Sequence, residues 1–441
     1  MTTRTNSTLK ESTKRLPLEG VRVIDHGIVY TGAAATTILA DMGAEVIRVE
    51  SIQVLFPFTR GFRTKPVTID GVAAGYPAGE PGERPCDRWF QLHALQRNKY
   101  GITLDLSRPK GVEIYKQLVA ISDIVLDNFA SGVMDRMGIG YDSLKQVKED
   151  IIMLSASGYG ATGPYKGYAA FGASLGSMAG MASLRGYPDD DITIRSPGQV
   201  WSDNVAATTA AFAVLTALHY RKRTGKGQFI DLSQSESFLP HMGESIMEYT
   251  MNRRNPEALG NRDRTMAPHG CYRCEGEDRW IAIAVGTDRE WDAFRRVMGD
   301  PAWSGKPEFS DVLSRHRNQG ELDERIEAWT IDKDPYDLMH RLQAAGVAAA
   351  PVAKQSEIFA DPHLSERGFF EDIDHRAAGK QRVPGMGFRY SKHPLPFRMP
   401  AMCLGEHNDY VYGELLGMSS EAIAQLEEEK YIGDAYLKEL P

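Results

Sequence analysis

The chain has 441 residues, of which 42% are hydrophobic and 25% charged, and it carries a formal net charge of -8. That length exceeds one ordinary core, so two domains, or one large domain with an insertion, are expected. The acidic balance gives no electrostatic footprint for nucleic acid, while leaving room for a local basic site that takes an anionic ligand.

The opening "MTTRTNSTLKESTKRLP" is polar and lacks the apolar core of a secretion signal, so residues 1–17 read as a mobile tail. No stretch approaches the ~18–20 apolar residues of a membrane helix. Together with sparse cysteines (Cys86, Cys271, Cys274 and Cys403), this predicts a cytoplasmic protein that does not engage a membrane.

"VRVIDHG" from Val21 reads as a strand, and "GAAATTILADMG" from Gly32 as a helix that Gly43 can end. "AEVIRVES" from Ala44 is a second strand. Strand, helix and strand within about 30 residues make a βαβ unit, hence a parallel sheet. A glycine lies at the first strand-to-helix turn, but there is no G-x-G-x-x-G, so no nicotinamide dinucleotide is expected. Residues 56–88, rich in Gly and Pro, read as a loop. "GITLDLS" is a strand, and "RPKGVEIYKQLVAIS" a helix with Pro109 in its first turn. "DIVLDNF" and "IIMLSASGYG" continue the βα rhythm to about Gly160, which predicts an α/β open sheet.

"SPGQVWSDNVAATTAAFAVLTALHY" begins at Ser196 and holds one acid, Asp203, ahead of a long run of small and apolar residues. A helix is predicted after it, through Tyr220. By residue type Asp203 is an N-cap candidate, but Ser202 would cap equally well and leave Asp203 free to react. The basic turn "RKRTGKGQ" follows, and then "FIDLSQSESFL", a strand leading into a helix. From about Asn261 the texture changes. "HGCYRCEGEDRWIAIAVG" reads as two strands around a charged turn. "DREWDAFRRVMG" and "LDERIEAWTIDKDPYDLMHRLQAAG" are helical, and "VAAAPVAK" is a strand. Within this region "CYRC" lacks the second ligand pair that a structural zinc site needs, so no metal is expected. The predicted domains are a large one over residues 18–235, a linker at 236–259, a small α+β domain at 260–352, and a linker with a return to the large domain over 353–441.

Taken together, "LEGVRVIDHGIVYTGAAATTILADMGAEVIRVE", "RNKYGITLDLSRPKG", "DNFASGVMDRMGIGYDSL", "SGYGATGPY", "RTGKGQFIDLS" and "LGEHNDYVYGELLGMSSEAIAQL" resemble class III (CaiB/BaiF-like) CoA-transferases. This is the family of formyl-CoA, carnitine-CoA and benzylsuccinate CoA-transferases. The likeness runs in order from about Leu16 to Ile432. It implies a Rossmann-like large domain without the nucleotide fingerprint, a smaller domain, and two linkers. It also implies an interlocked dimer of two ring-shaped chains. The implied activity moves CoA from an acyl-CoA donor to a small carboxylic acid, with acyl-CoA as substrate and no tightly bound cofactor.

The resemblance assigns Asp203 the role of nucleophile, forming a mixed anhydride with the donor and then an aspartyl-CoA thioester. A carboxylate can do this when it is held in place and shielded from water. Arg136 matches a CoA-contacting arginine, whose fixed charge suits nucleotide phosphates. Asn128 and Phe129 match the family's "NF" beside CoA. Tyr30 and Thr31 match contacts after the first strand. Leu104 and Asp105, with Leu106 and Ser107, fall where the adenine end lies in relatives. Arg97 and Lys99 are nearby basic candidates, for which a structural role is equally open.

The chain also departs from the family pattern. Ser51 stands where relatives often carry a basic residue after the second strand, and Arg48 and Arg60 are the candidates to replace it. Phe171 and Gly172 stand in place of a Tyr-Glu pair of formyl-CoA transferase. "NRDRTMAPHG" stands where that enzyme has a glycine-rich loop. Oxalate and formate are therefore not the expected substrates. Two other readings stay open: an α-methylacyl-CoA racemase, which shares the fold but needs an acid–base pair that "AFG" does not supply, and a supporting subunit in a hetero-oligomer with a homologous chain. A homodimer is the expected assembly.

Overall fold

A computed structural model describes residues 16–61, 68–69, 72–73, 75–188 and 201–437. Nearly all of the predicted tail and the segment Ser196–Val200 lie outside these residues. The described chain forms two compact units. One lies within Met1–Ala179, Gly198–Glu244 and Glu366–Pro441; the other lies within Gly180–Pro197 and Ser245–Ser365.

In the first unit, β1 (Arg22–His26), α1 (Thr31–Asp41) and β2 (Glu45–Glu50) form the expected βαβ unit. Then come β3 (Lys99–Thr103), α2 (Pro109–Ala120), β4 (Ile124–Asp127), the one-turn α3 (Val133–Arg136) and β5 (Ile152–Ser157). The short α4 (Gly172–Met178), the long α5 (Trp201–Thr224), β6 (Gln228–Ser233) and α6 (Gln234–Phe238) complete the series. The six strands are parallel throughout, in the order β3-β2-β1-β4-β5-β6. This order bears out the Rossmann-like α/β expectation. It also defines a switch point between β1 and β4, where the chain changes direction across the sheet.

The strands are apolar on both faces because helices cover both. Successive residues feed different cores. Val23, Val46, Ile124 and Ile152 pack with Leu39 of α1 and with Ala206, Ala210 and Val214 of α5. Their neighbours Ile24, Ile47, Val125 and Met153 pack with Ile114 and Leu118 of α2 and with Tyr412 and Leu426 from the C-terminal segment. Small residues on the facing sides of α1 and α5 let these helices approach closely. That proximity sets up the candidate site below.

Charged residues are threaded through the sheet. Lys99, fully buried, has four acceptors within hydrogen-bond distance of Nζ: Asp25 Oδ2 (3.0 Å), the Ala33 carbonyl (2.9 Å), Thr36 Oγ1 (2.8 Å) and Gln96 Oε1 (2.9 Å). Arg60 pairs with Glu50 and, at 3.0 Å, with Asp87. Arg48 lies 3.5 Å from Asp25 and 3.6 Å from Glu50. Arg48 and Arg60, raised above as replacements for a basic residue at Ser51, are thus buried and committed to internal carboxylates. Neither presents a cation to a ligand.

His26 ends β1, with Nε2 2.9 Å from the Tyr115 hydroxyl. Burial lowers its pKa to about 4, outweighing the attraction of Asp25. An unfolded histidine takes up its proton near pH 6.5, whereas the folded one waits until about pH 4. The stabilisation from this neutral imidazole is therefore complete above pH 6.5. It is lost as pH falls toward 4, an effect of about 3 kcal/mol. Urea unfolding at pH 7 and pH 4.5 should show this loss in the wild type and a shallower pH slope in His26→Gln. An unchanged slope in the variant would assign the acid sensitivity to other groups.

The second unit contains β7 (His269–Arg273), β8 (Trp280–Ala284), α7 (Asp288–Met298), α8 (Gln319–Thr330), α9 (Pro335–Ala344) and β9 (Ala348–Pro351). Its strands form an antiparallel sheet in the order β9-β8-β7, over a core that includes Trp291, Phe294, Ile326 and Leu342. The sequence reading drew this α+β body over 260–352; by compactness the unit takes in Ser245–Ser365. Thr287 and Glu290 form a capping box at the start of α7, and Gly299 ends that helix in the left-handed conformation. After this unit the chain returns to the first, adding the hairpin β10 (Phe370–His375) and β11 (Gly379–Pro384) and the helix α10 (Ser420–Glu428). Among the described residues, no helix is long and apolar enough to cross a membrane.

Candidate active site at the carboxyl ends of the strands

In an open α/β sheet, ligands bind outside the carboxyl ends of the strands, at the point where strand order reverses. Here that point is the gap between the β1–α1 loop and the loop after β4. His26 and Asp127 are paired in register at its floor. Asn128 fastens the two loops together. Its Oδ1 accepts from Ile28 N at 2.7 Å, and its Nδ2 donates to the Ile28 carbonyl at 3.0 Å. Gly32 permits this approach: a Cβ there would stand 2.8 Å from Asn128 Oδ1 and 2.6 Å from Gly27 Cα. Val29 adopts φ 56°, a left-handed conformation that is strained for a β-branched residue. Its amide is held by Thr59 Oγ1 at 3.0 Å.

Asp203 lies across from this loop. The sequence reading set it ahead of the helix, but α5 already includes Trp201, so Asp203 sits within the first helical turn. Neither capping reading describes the side chains seen. Ser202 Oγ donates to the Gly172 carbonyl at 2.9 Å, and Asp203 Oδ1 accepts from Thr31 Oγ1 at 2.8 Å. Thr31 opens α1 and is fully buried. Its hydroxyl also lies 3.1 Å from Gln234 Oε1. Asp203 Oδ2 is buried and has no hydrogen-bond partner among the described residues. The carboxylate is only 7% exposed. Burial raises its pKa above the ordinary aspartate value, against the hydrogen bond from Thr31 that lowers it. A desolvated carboxylate with one oxygen anchored and one unpaired is more basic and more reactive than a hydrated one. Next to it, Tyr30 bonds Asn204, and burial raises the pKa of its phenol.

The other predicted residues fall into two groups. Phe129 follows Asn128 at the gap, with its amide donating to Asp127 Oδ1 at 3.1 Å and its ring 6.1 Å from that of His26. Arg136 ends α3, is exposed, and forms no ion pair among the described residues. Arg97, Leu104 and Asp105, by contrast, are built into the protein. Arg97 donates to Asp41 from Nε (3.1 Å) and Nη2 (2.7 Å), with its guanidinium 4.8 Å from the centre of the Phe397 ring. Leu104 is a core residue. Asp105 accepts from Ser107 N (3.0 Å), Ser107 Oγ (2.6 Å) and Arg108 Nε (2.6 Å). Burial alone would raise the Asp105 pKa, but these bonds hold it below the ordinary value. Phe171 is exposed, edge-on to Phe58 at 5.8 Å, and Gly172 opens the buried start of α4.

Two residues were missed by the sequence reading. Gln234 follows β6 and reaches Thr31; its place just after a parallel strand was the available signal. Asp127 ends β4, with Oδ1 bonded by Phe129 N and Ser155 Oγ and Oδ2 without a partner among the described residues. Burial pushes its pKa up to about 7. It lines a cavity of about 550 Å³ together with Met134, Tyr141, Ser155, Lys166 and Phe229.

Comparison with known proteins agrees with this architecture. The chain is 31% identical to succinyl-CoA–D-citramalate CoA-transferase of Chloroflexus aurantiacus, over 94% of this chain and 98% of that one. It is 30% identical to the beta subunit of succinyl-CoA–L-malate CoA-transferase from the same organism, over 96% and 99%. Human succinyl-CoA:glutarate CoA-transferase is 27% identical over 93% of this chain and 88% of its own. Among solved structures, a CaiB/BaiF family protein from Brucella suis superposes with a TM-score of 0.78 at 28% identity, covering 91% of this chain and 100% of that one. The model of CoA-transferase family III matches residues 18–408, and the chain belongs to that family, whose enzymes act on CoA thioesters.

Proposed function

We propose that the protein moves CoA from succinyl-CoA to a small dicarboxylic acid through an aspartyl-CoA thioester on Asp203. The observation that carries this reading is the Asp203 carboxylate, which is buried, anchored at Oδ1 by Thr31 and without a partner at Oδ2 among the described residues. The named relatives support the substrate class. Their names pair succinyl-CoA with D-citramalate, L-malate and glutarate, each a dicarboxylate. In this reading the CoA thioester enters at the gap between β1 and β4, near Tyr30, Asn128 and Phe129. Arg136 offers its exposed charge to the phosphates. Arg97 and Asp105 act through the fold, since their charged groups are already paired internally.

The chemistry needs no external acid or base. The carboxylate attacks the donor carbonyl, and CoA thiolate leaves. The thiolate then attacks the aspartyl carbonyl of the anhydride and expels the donor acid. The acceptor carboxylate reverses these two steps and departs with CoA. One anion replaces another throughout, and a site closed to water protects both reactive intermediates from hydrolysis.

The test is a matrix of acyl-CoA donors and acceptor acids, incubated with the purified chain and read by mass spectrometry for new thioesters. Succinyl-CoA with malate, citramalate or glutarate should give product, whereas formyl-CoA with oxalate should not. Product confined to monocarboxylic acceptors would sink the proposed substrate class. Product that appears only when a second, homologous chain is added would favour a hetero-oligomer. The relatives include named alpha and beta subunits.

A further inference from the structure

A carboxylate has two chemically equivalent oxygens, but in this fold their surroundings differ. Thr31 Oγ1 lies 2.8 Å from Asp203 Oδ1, while Oδ2 is buried without a partner among the described residues. Behind Thr31, the Gln234 amide has a fixed orientation. Its Nε2 donates to the Ala156 carbonyl at 2.7 Å, which turns Oε1 toward Thr31 at 3.1 Å. The reverse assignment would set two acceptors against each other at the Ala156 contact. The single Thr31 proton therefore faces two acceptors, and the charged one, Asp203, takes it. Neither Thr31, fully buried, nor Gln234, 6% exposed, can exchange these contacts for bulk water.

Building on the reading of Asp203 as nucleophile, we infer that Thr31 dictates which oxygen of Asp203 reacts: Oδ2 attacks, and Oδ1 is kept through every turnover. The atoms can be followed. Oδ2 bonds to the donor carbonyl carbon as the C–S bond breaks. Thiolate then attacks Cγ, the Cγ–Oδ2 bond breaks, and the donor acid leaves carrying Oδ2. Oδ1 stays as the thioester carbonyl oxygen. In the return half an acceptor carboxylate oxygen bonds to Cγ, and the Cγ–S bond breaks. The thiolate then attacks the acceptor carbonyl carbon, whose bond to the bridging oxygen breaks. That oxygen remains on Asp203 as the new Oδ2. At each tetrahedral stage on Cγ the negative charge rests on Oδ1, where the Thr31 hydroxyl already donates. Thr31 thus contacts the reacting group directly, whereas Gln234, whose Oε1 lies 3.1 Å from the Thr31 oxygen, only competes for the same proton.

The test follows the oxygens. The full chain is incubated with succinyl-CoA and excess succinate labelled with ¹⁸O in both carboxylates, for many turnovers. It is then digested, and the Asp203 peptide is weighed. Wild type should gain one ¹⁸O and stop there. Thr31→Val should turn over about tenfold more slowly, with KM little changed. Its label should climb toward two atoms, because an unanchored carboxylate flips between turnovers. Thr31→Ser should restore both the rate and the single label. Two labels in the wild type, or a single label persisting in Thr31→Val, would overturn the inference. The wild-type count stands as a test even if the valine variant does not fold. Exchange of CoA with no label in Asp203 would instead overturn the nucleophile reading.

Discussion

Asp203→Asn should lower CoA transfer by on the order of 10⁴-fold or more while leaving a folded protein. The replacement keeps the size and planarity of the side chain and retains an oxygen that can accept from Thr31. An amide, however, is too weak a nucleophile to form the anhydride, so the covalent route closes. Its NH₂ group would occupy the position of Oδ2, which has no partner among the described residues. That costs roughly 1–3 kcal/mol, set against relief from burying a charge. Calorimetry should therefore show only a modest change in melting temperature. Wild-type protein incubated with donor acyl-CoA should carry a CoA adduct at Asp203 that hydroxylamine traps, and the variant should carry none. An Asp203→Asn enzyme of normal activity, with no adduct on the wild type, would return Asp203 to a structural role.

The second large effect is expected at Lys99, and it has the opposite character. Burial lowers the Lys99 pKa to about 8, against the attraction of Asp25 that raises it. At pH 7 the ammonium is therefore still charged, with four internal acceptors around it. Lys99→Met would remove the cation and leave the fully buried Asp25 with Arg48 at 3.5 Å as its remaining ion-pair partner. Breaking such a pair from one side costs about 3–5 kcal/mol. The variant should lose that much stability in urea unfolding at pH 7. At a temperature where it is still folded, its KM for acyl-CoA should match wild type. A stable variant with a raised KM would mean that Lys99 serves the ligand instead.

The contrast between these residues shows what local sequence can carry. Strands such as "IVLD" and the alanine-rich helix faces are written in consecutive residues, so the parallel sheet was legible. Asp203 was singled out through the ordered family resemblance and not from its neighbours. Its exact helical position was not, because Trp201 and Ser202 carry no signal that separates the last loop residue from the first helical one. Arg97 and Lys99 look like ligand-binding cations in "QRNKY". Their partners, Asp41 and Asp25, lie 56 and 74 residues away and meet them only in the folded sheet. Gln234 escaped notice for the same reason, since its partner Thr31 is 203 residues distant.

The C-terminal segment also has a bearing on how the protein is made. Edge strand β3 is closed by residues that come late in the chain. Asn408 Oδ1 accepts from Thr103 N at 3.0 Å, the Tyr412 hydroxyl donates to the Thr103 carbonyl at 2.7 Å, and Thr103 Oγ1 donates to the Gly433 carbonyl at 2.7 Å. The last contact spans 330 residues. At ribosomal rates of about 5–20 residues per second, roughly 15–65 s separate the emergence of β3 from that of its cover. Through that interval the nascent sheet exposes an unsatisfied edge and the apolar face that Tyr412 and Leu426 later fill. Newly made chains are therefore expected to depend on chaperones over that period, and one that stalls between about residue 235 and residue 400 should be a substrate for aggregation or proteolysis even though every residue of its parallel sheet has already been synthesised.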